Sequence, residues 1–487
     1  MPAPLIFSWN DLILLSPEIF MTLLLCVVLL FDFVFPKWNK TVLAWISVAG
    51  IAVTIGILLW LYSTGTTGTL FKGMFSQDRY AIFFKIIILV STTFVFLISL
   101  DYLRKVEYFK GEYYFLLLLS ALGMMLMASA NDFLSLFITL EFATFGFYIL
   151  VAYLRENLRS NEAGLKFFIL GVFTASILAY GISLIFGETG TILFPEIAQM
   201  NPAMTPGLVL GFLLIFVALA FKIGAVPFHN WVPDIYEGAP TPITAFLSIA
   251  PKAAAIAVLL RVFFSTFSEF KPEWVYLIVL VSIVSMTYGN IVAISQKNIK
   301  RLLAYSGIAQ IGNILIGVAA GTKMGGDSIL FYLLTYLFAN IGAFAVVVAF
   351  SNVTNSDTIA DYSGLNRRSP LLALALFIFL LSLAGVPPLA GFIGKIYLFA
   401  AAMKEQLFTL VIVGLINIVI SMYYYLVVVK KIYIGEPTDS SPIYVPSSIK
   451  AVIYVSLAGV LILGVYPRPF INIVVESAGI FSHLIGQ

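Results

Sequence analysis

"FKIGAVPFHNW", residues 221–231, places a lysine beside a Gly/Pro pair at the end of an apolar run that begins at Pro206. A helix built from that run meets Gly224 and Pro227 just after Lys222. Proline removes a backbone donor and clashes with the preceding turn, so the helix is expected to kink or break there. If it resumes through Trp231 toward Tyr236, the whole element is about 31 residues, or ~46 Å at 1.5 Å per residue, longer than a straight membrane crossing needs. Lys222 then lies inside the membrane, beside backbone groups that the break frees and that water must satisfy. The alternative is an ordinary proline kink with a lysine reaching to the surface.

Composition makes the membrane the solvent for most of the chain. Of 487 residues, 61% are hydrophobic and 10% charged, and the mean hydropathy is +1.04, which describes a polytopic membrane protein. The first apolar run, 12–31, lacks a basic leader and a small-residue cleavage site, and is expected to be a retained span. The single cysteine, Cys26, lies within it. Iron-sulfur clusters need several thiolates and disulfides need pairs, so redox centres are expected in other chains. Neither a Walker motif nor GxGxxG is present.

Hydropathy, asking for roughly 20 apolar residues per span, gives fourteen segments, from 12–31 to 449–465. One set of alternate loops holds 16 Lys and Arg and the other set, with the termini, holds 6. The richer set is expected to face the cytoplasm and both termini the opposite side. Five basic residues remain inside spans: Lys85, Lys222, Lys252, Arg261 and Lys395. Each costs at least ~2.5 kcal/mol near the bilayer centre without a partner, a watery cavity or a short reach to the surface. Lys85 and Arg261 are near span ends and are expected to snorkel. Lys252 and Glu141 are central. Buried structural ion pairs would explain them, but several central charges in one bundle favour an ion pathway.

The break recurs. Residues 371–401 are too long for one straight span and are interrupted by "GVPPLAGFIGK", residues 385–395, again a Gly/Pro break with a lysine nearby. A unit of five spans enters the membrane with opposite orientation each time it repeats. The fold expected is therefore all-α, with about 14 transmembrane helices and two inverted five-helix repeats, each holding a discontinuous helix. Residues 1–112 form an N-terminal three-helix segment, 113–268 and 269–431 the two repeats, and 432–487 a loop and the last span.

Three stretches, "FKIGAVPFHNWVPDIYEGAPTPITAFLSIAPKAA" (221–255), "QKNIKRLLAYSGIAQIG" (296–312) and "LSLAGVPPLAGFIGK" (381–395), resemble the subunit N family of proton-pumping NADH-quinone oxidoreductase, respiratory complex I. The first is specific to the antiporter-like group, which also includes larger complex I subunits and multisubunit Na+/H+ antiporters. Fourteen spans and a lysine in the second broken helix favour subunit N. The resemblance implies a proton route through Glu141, Lys222, Lys252 and Lys395. Lys222 would load from the cytoplasmic side with Glu141 tuning it, Lys252 would relay, and Lys395 would release. Some relatives have histidine where this chain has Gln310, which cannot store a proton, so waters or Tyr305 and Ser306 would have to bridge.

The resemblance also implies no cofactor in this chain, with FMN, iron-sulfur clusters and quinone in partner subunits. The partners implied are other membrane-arm subunits, antiporter-like ones among them, together with membrane lipids and no nucleic acid. The location implied is a bacterial cell inner membrane with periplasmic termini. A cation/proton antiporter subunit and a non-pumping structural subunit are the alternatives. His229 is expected to be a hydrogen-bonded interfacial residue, with proton entry the alternative; with His483 the only other histidine, a metal site is not expected. Glu18 and Asp32, flanking the first span, are candidate contacts for a neighbouring subunit. Phenylalanines and tyrosines are read as lipid-facing and interfacial.

Overall fold

A computed structural model describes residues 8–484, apart from 36, 38, 106–109, 201, 203, 204, 438, 440 and the side chain of His483. The chain is helical almost throughout. The first helices are α1 (Trp9–Leu14), α2 (Ser16–Val34), α3 (Thr41–Thr64), α4 (Arg79–Leu103) and α5 (Glu112–Ser129). Then come α6 (Phe133–Val151), α7 (Leu158–Thr189), α8 (Phe194–Met200), α9 (Pro206–Ile223), α10 (Trp231–Gly238) and α11 (Thr241–Arg261). The second half holds α12 (Lys271–Ile294), α13 (Ile299–Ala320), α14 (Lys323–Thr354), α15 (Leu365–Arg368), α16 (Pro370–Ala384) and α17 (Ala390–Lys404). The chain closes with α18 (Phe408–Ile434), α19 (Ser447–Val465) and α20 (Arg468–Ser477). A short hairpin, β1 (Gly68–Leu70) with β2 (Phe75–Gln77), pairs Gly68 with Gln77 ahead of α4.

Among the described residues, 13 helices are long and apolar enough to cross a membrane. Helices α16 and α17, either side of the second break, are each only 15 residues, shorter than the roughly 20 a single helix needs to span. Helix starts carry side-chain caps where water is scarce: Asp132 accepts from the Leu134 and Ser135 amides, Asn298 from those of Lys300 and Arg301, and Thr322 from that of Gly325. Each satisfies first-turn donors that have no partner within the helix.

Burial sorts the helices into a centre and a lipid-facing shell. The most apolar stretch of α13 is wholly buried and that of α11 94% buried, against 28% for α7, so α11, α13 and α14 form the axis of the bundle. Small residues bring α12 against α13: a Cβ at Gly289 would stand 2.7 Å from the Ala309 nitrogen. Close backbone approach of this kind is how membrane helices gain packing energy without a hydrophobic driving force.

Two charges read as snorkelling do not reach the surface. Lys85 is fully buried, 2.5 Å from Glu18 and hydrogen-bonded to Gln77. Arg261 donates through Nη2 to Asp78 at 3.0 and 2.8 Å. In both cases the hairpin and the helices around it bring an acid or amide to the cation, so the charge is neutralised in place. Glu18 is thereby engaged within the chain, and Asp32 pairs with Lys40.

Candidate functional site

The first break forms where the sequence places Gly224. That residue adopts a left-handed conformation, φ 77°, at the end of α9, and the Trp231 indole donates to the Phe221 carbonyl at 2.9 Å. The Val226 amide donates to Ser285 Oγ at 3.0 Å. Lys222 lies in the last turn of α9, where the helix dipole favours a cation. Its Nζ is 3.6 Å from Glu141 Oε1 and donates to Thr144 Oγ1 at 3.1 Å. Glu141 and Thr144 are one turn apart on α6, so a single face of that helix receives the lysine. Met124, Met127, Phe147, Phe167 and Trp231 share the cavity and keep it largely apolar.

The second break repeats the device with a different partner. Gly385, φ 90°, ends α16. Lys395, on α17, turns back and donates to the carbonyls of Leu383 at 3.0 Å and Ala384 at 2.9 Å. These are carbonyls of the last turn of α16, which have no amide to follow them. Lys395 is 2% exposed, and no carboxylate pairs with it among the described residues.

Between the breaks runs a line of buried polar side chains. Lys252 on α11 is 1% exposed, its Nζ has no hydrogen-bond partner among the described residues, and it lies 5.6 Å from the centre of the Tyr236 ring. A Cβ at Gly307 would be 3.1 Å from that Nζ and 3.2 Å from the Tyr336 hydroxyl. The Tyr336 hydroxyl also lacks a partner. Two unsatisfied polar groups converging on a notch left by glycine make a place for water. Next along α13, Ser306 shares a 2.5 Å hydrogen bond with the Tyr425 hydroxyl. Gln310 then accepts from Asn313 Nδ2 at 2.9 Å and from the Tyr332 hydroxyl, and donates to the Leu383 carbonyl at 2.9 Å. Gln310 thus meets the same carbonyl as Lys395.

Tyr305 is not part of this line. One residue along a helix turns the side chain by about 100°, so it faces Tyr288, with ring centres 6.4 Å apart. His229 also packs against Tyr288, with ring centres 4.5 Å apart, and is buried beside the Pro227 backbone. Beyond these rings Arg301 holds Asp234 at 3.0 Å and Glu237 at 2.9 Å. Lys166 holds Asp234 at 3.1 Å and Glu162 at 2.8 Å. A polar mouth lined by Arg159, Glu162, Lys166, Asp234 and Glu237 opens at this point.

Sequence reasoning passed over Asp234 and Glu237, although their three-residue spacing in "WVPDIYEG" puts both on one face of α10. It also misplaced the tyrosines. Tyr332, Tyr336 and Tyr425 are buried on the axis with their hydroxyls turned inward, not in the lipid interface. Their mid-span positions were the signal, since an interfacial tyrosine belongs near a span end. Among the described residues no group of three or more His, Cys, Asp or Glu could hold a metal ion.

A sequence model of the family described as "NADH:quinone oxidoreductase/Mrp antiporter, TM" matches residues 130–421. NADH-quinone oxidoreductase subunit N of Desulforamulus reducens is 43% identical over 448 residues, 92% of this chain and 94% of the relative. The Moorella thermoacetica subunit N is 42% identical over 474 residues, 97% of this chain and 99% of its own. Among solved structures, a chain of respiratory complex I from Thermus thermophilus is 30% identical, with TM-score 0.81 over 94% of this chain and 98% of that one. A chain of the Mrp complex from Dietzia, at 20% identity and TM-score 0.87 over 95% of this chain and 96% of its own, shares the fold. On this identity over nearly its whole length, the chain belongs to the NADH-quinone oxidoreductase subunit N family of membrane proteins.

Proposed function

We propose that this chain moves protons across the membrane as a membrane-arm subunit of a bacterial complex I. Electrons pass from NADH to quinone in its partner subunits, which hold the FMN and iron-sulfur clusters. Protons enter from the cytoplasm through the mouth at Asp234 and Glu237, past His229, and load Lys222 beside Glu141. Lys252 and the notch at Gly307 carry them to the Tyr425–Ser306 and Tyr332–Gln310 pairs. Lys395 releases them toward the periplasm, on the side of both termini. Residues 113–268 and 269–431 act as the two inverted repeats, each supplying one lysine at one helix break.

The observation that carries this reading is the shared Leu383 carbonyl, on which Lys395 and Gln310 converge at 3.0 and 2.9 Å. It connects the buried polar line of α13 to the second broken helix, at the place where a histidine would serve in some relatives. Lys395→Met in an assembled complex tests it. Replacement of a buried charge by an apolar chain of similar length is tolerated when the charge is only structural. Loss of quinone-linked proton pumping supports conduction, and normal pumping at normal turnover rejects it.

The fold shared with the Mrp complex keeps cation/proton exchange as a second reading. It expects the purified chain in liposomes to exchange protons for sodium without an electron donor. The complex I reading expects none.

A further inference from the structure

Resting on the proton route through Lys395, we propose that Asp327 is the group that takes the proton from the Lys395 region and hands it to the water on the side of the termini. Asp327 lies four residues into α14, about 6 Å below the start of that helix at 1.5 Å per residue, and is 6% exposed. Lys395 lies nine residues, about 13.5 Å, before the end of α17 on the same side. The acid is therefore between the lysine and the surface in depth.

Its partners are few and loose. Tyr397, two residues beyond Lys395 on α17, donates its hydroxyl to Asp327 Oδ2 at 3.5 Å. Lys323 stands at 3.4 Å, partly exposed, and also reaches the Val475 carbonyl of α20 at 3.5 Å. An acid in the first turns of a helix with a lysine beside it also fits a structural role, since the dipole favours a negative charge there. Two other pairs near the same side are tighter, however: Asp78 and Arg261 meet at 2.8 Å and Lys271 and Glu405 at 2.7 Å. A buried carboxylate held at the outer limit of hydrogen bonding can change protonation without breaking the fold around it.

Among the described residues Lys395 Nζ contacts only the Leu383 and Ala384 carbonyls, and Tyr397, two residues on, faces away from it around α17, so water is placed between Lys395 and the Tyr397–Asp327 pair. Tyr332, hydrogen-bonded to Gln310, lies five residues deeper on α14 than Asp327, about 7.5 Å of rise, and on another face of the helix, so this step too is placed in water. A proton leaves Lys395 Nζ, which becomes a neutral amine. It arrives on the Asp327 carboxylate, which becomes a neutral acid, and then departs to water on the side of the termini, restoring the anion. Tyr397 passes on one proton for each it takes and ends as it began.

The experiment compares Asp327→Asn, Asp327→Glu, Tyr397→Phe and Lys395→Met in membranes holding equal amounts of assembled complex. Quinone-linked proton pumping and donor oxidation are measured together. Asp327→Asn is expected to lower pumping about tenfold and Asp327→Glu to restore most of it, which a role in packing alone would not produce. Tyr397→Phe, which keeps the ring against Phe331, is expected to slow pumping about twofold and carries the test if Asp327→Asn does not assemble. Loss in Lys395→Met with normal pumping in Asp327→Asn, or in Tyr397→Phe where it stands in, overturns the release role while leaving the lysine route intact. Normal pumping in Lys395→Met overturns the route and the release role with it.

Discussion

Lys395 and Gln310 donate to one acceptor, the Leu383 carbonyl, from two different helices. The carbonyl exists as a free acceptor only because α16 ends there. Gln310→Leu removes one donor and leaves the Tyr332 hydroxyl without its acceptor, a cost of about 1–3 kcal/mol for the group left unsatisfied. Assembly is expected to survive and pumping to fall about tenfold, corresponding to ~1.4 kcal/mol on the limiting step. Gln310→His, which restores a donor and an acceptor, is expected to recover most of the loss. Equal pumping in the Leu variant and the parent would remove Gln310 from the route.

Glu141 and Lys222, 3.6 Å apart, are expected to behave as one unit. Glu141→Gln deprives the lysine of its counter-charge, and Lys222→Ala removes the proton carrier. The double variant is then expected to pump about as poorly as Lys222→Ala alone, because residues that share one function are non-additive. Pumping per assembled complex in the two single variants and the double variant checks it. Losses that multiply would show that the two act separately.

The notch at Gly307 gives a smaller and more pointed test. A methyl group there would press on Lys252 Nζ and the Tyr336 hydroxyl at 3.1 and 3.2 Å, closer than ordinary van der Waals contact, so one or both groups would have to shift. Gly307→Ala is expected to leave the amount of complex unchanged and to slow proton pumping and quinone reduction together. An unaffected rate would mean that protons do not pass between Lys252 and Tyr336.

Lys85 and Glu18 should respond in the opposite way, through stability. Their side chains are 0% and 5% exposed, and removal of one member of such a pair costs about 3–5 kcal/mol because the other is left buried and charged. Lys85→Met alone is expected to reduce the amount of assembled subunit sharply. Lys85→Met with Glu18→Leu is expected to recover much of it, with pumping intact. Quantifying the subunit in membranes by immunoblot, with complex activity per subunit, distinguishes this from a conducting role, in which the recovered double variant would assemble but not pump.

The spans, both helix breaks and the four central charges were legible because each depends on local sequence: a run of apolar residues, a Gly/Pro interruption, an ionisable group within it. Depth marked Glu141 as a central charge, the resemblance paired it with Lys222, and the structure puts the two 3.6 Å apart. What was not legible depends on rotation about a helix axis. Tyr305 and Ser306 are adjacent in sequence, yet one faces Tyr288 and the other Tyr425, a difference that hydropathy cannot see when α13 is buried on all sides. The pairing of Lys85 and Arg261 was missed for another reason. Their partners lie on other elements, Glu18 on α2 and Gln77 on β2 for Lys85 and Asp78 at the start of α4 for Arg261, and how these come together is a tertiary matter.

The two lysines answer differently to the loss of a proton. An ammonium group has three donors and a neutral amine two. Lys395 spends two on the Leu383 and Ala384 carbonyls, so a neutral Lys395 can keep both, and the proton that leaves is the third, bound to neither. The end of α16 therefore keeps both hydrogen bonds with a neutral lysine, though each is weaker than one from an ammonium. Lys222 has only a hydroxyl and a carboxylate before it, and its hold on Glu141 weakens as soon as it is neutral. Of the two helix breaks, one holds its lysine on backbone carbonyls and the other holds it on a carboxylate and a hydroxyl, so only at the second does the hold rest on a pair of opposite charges.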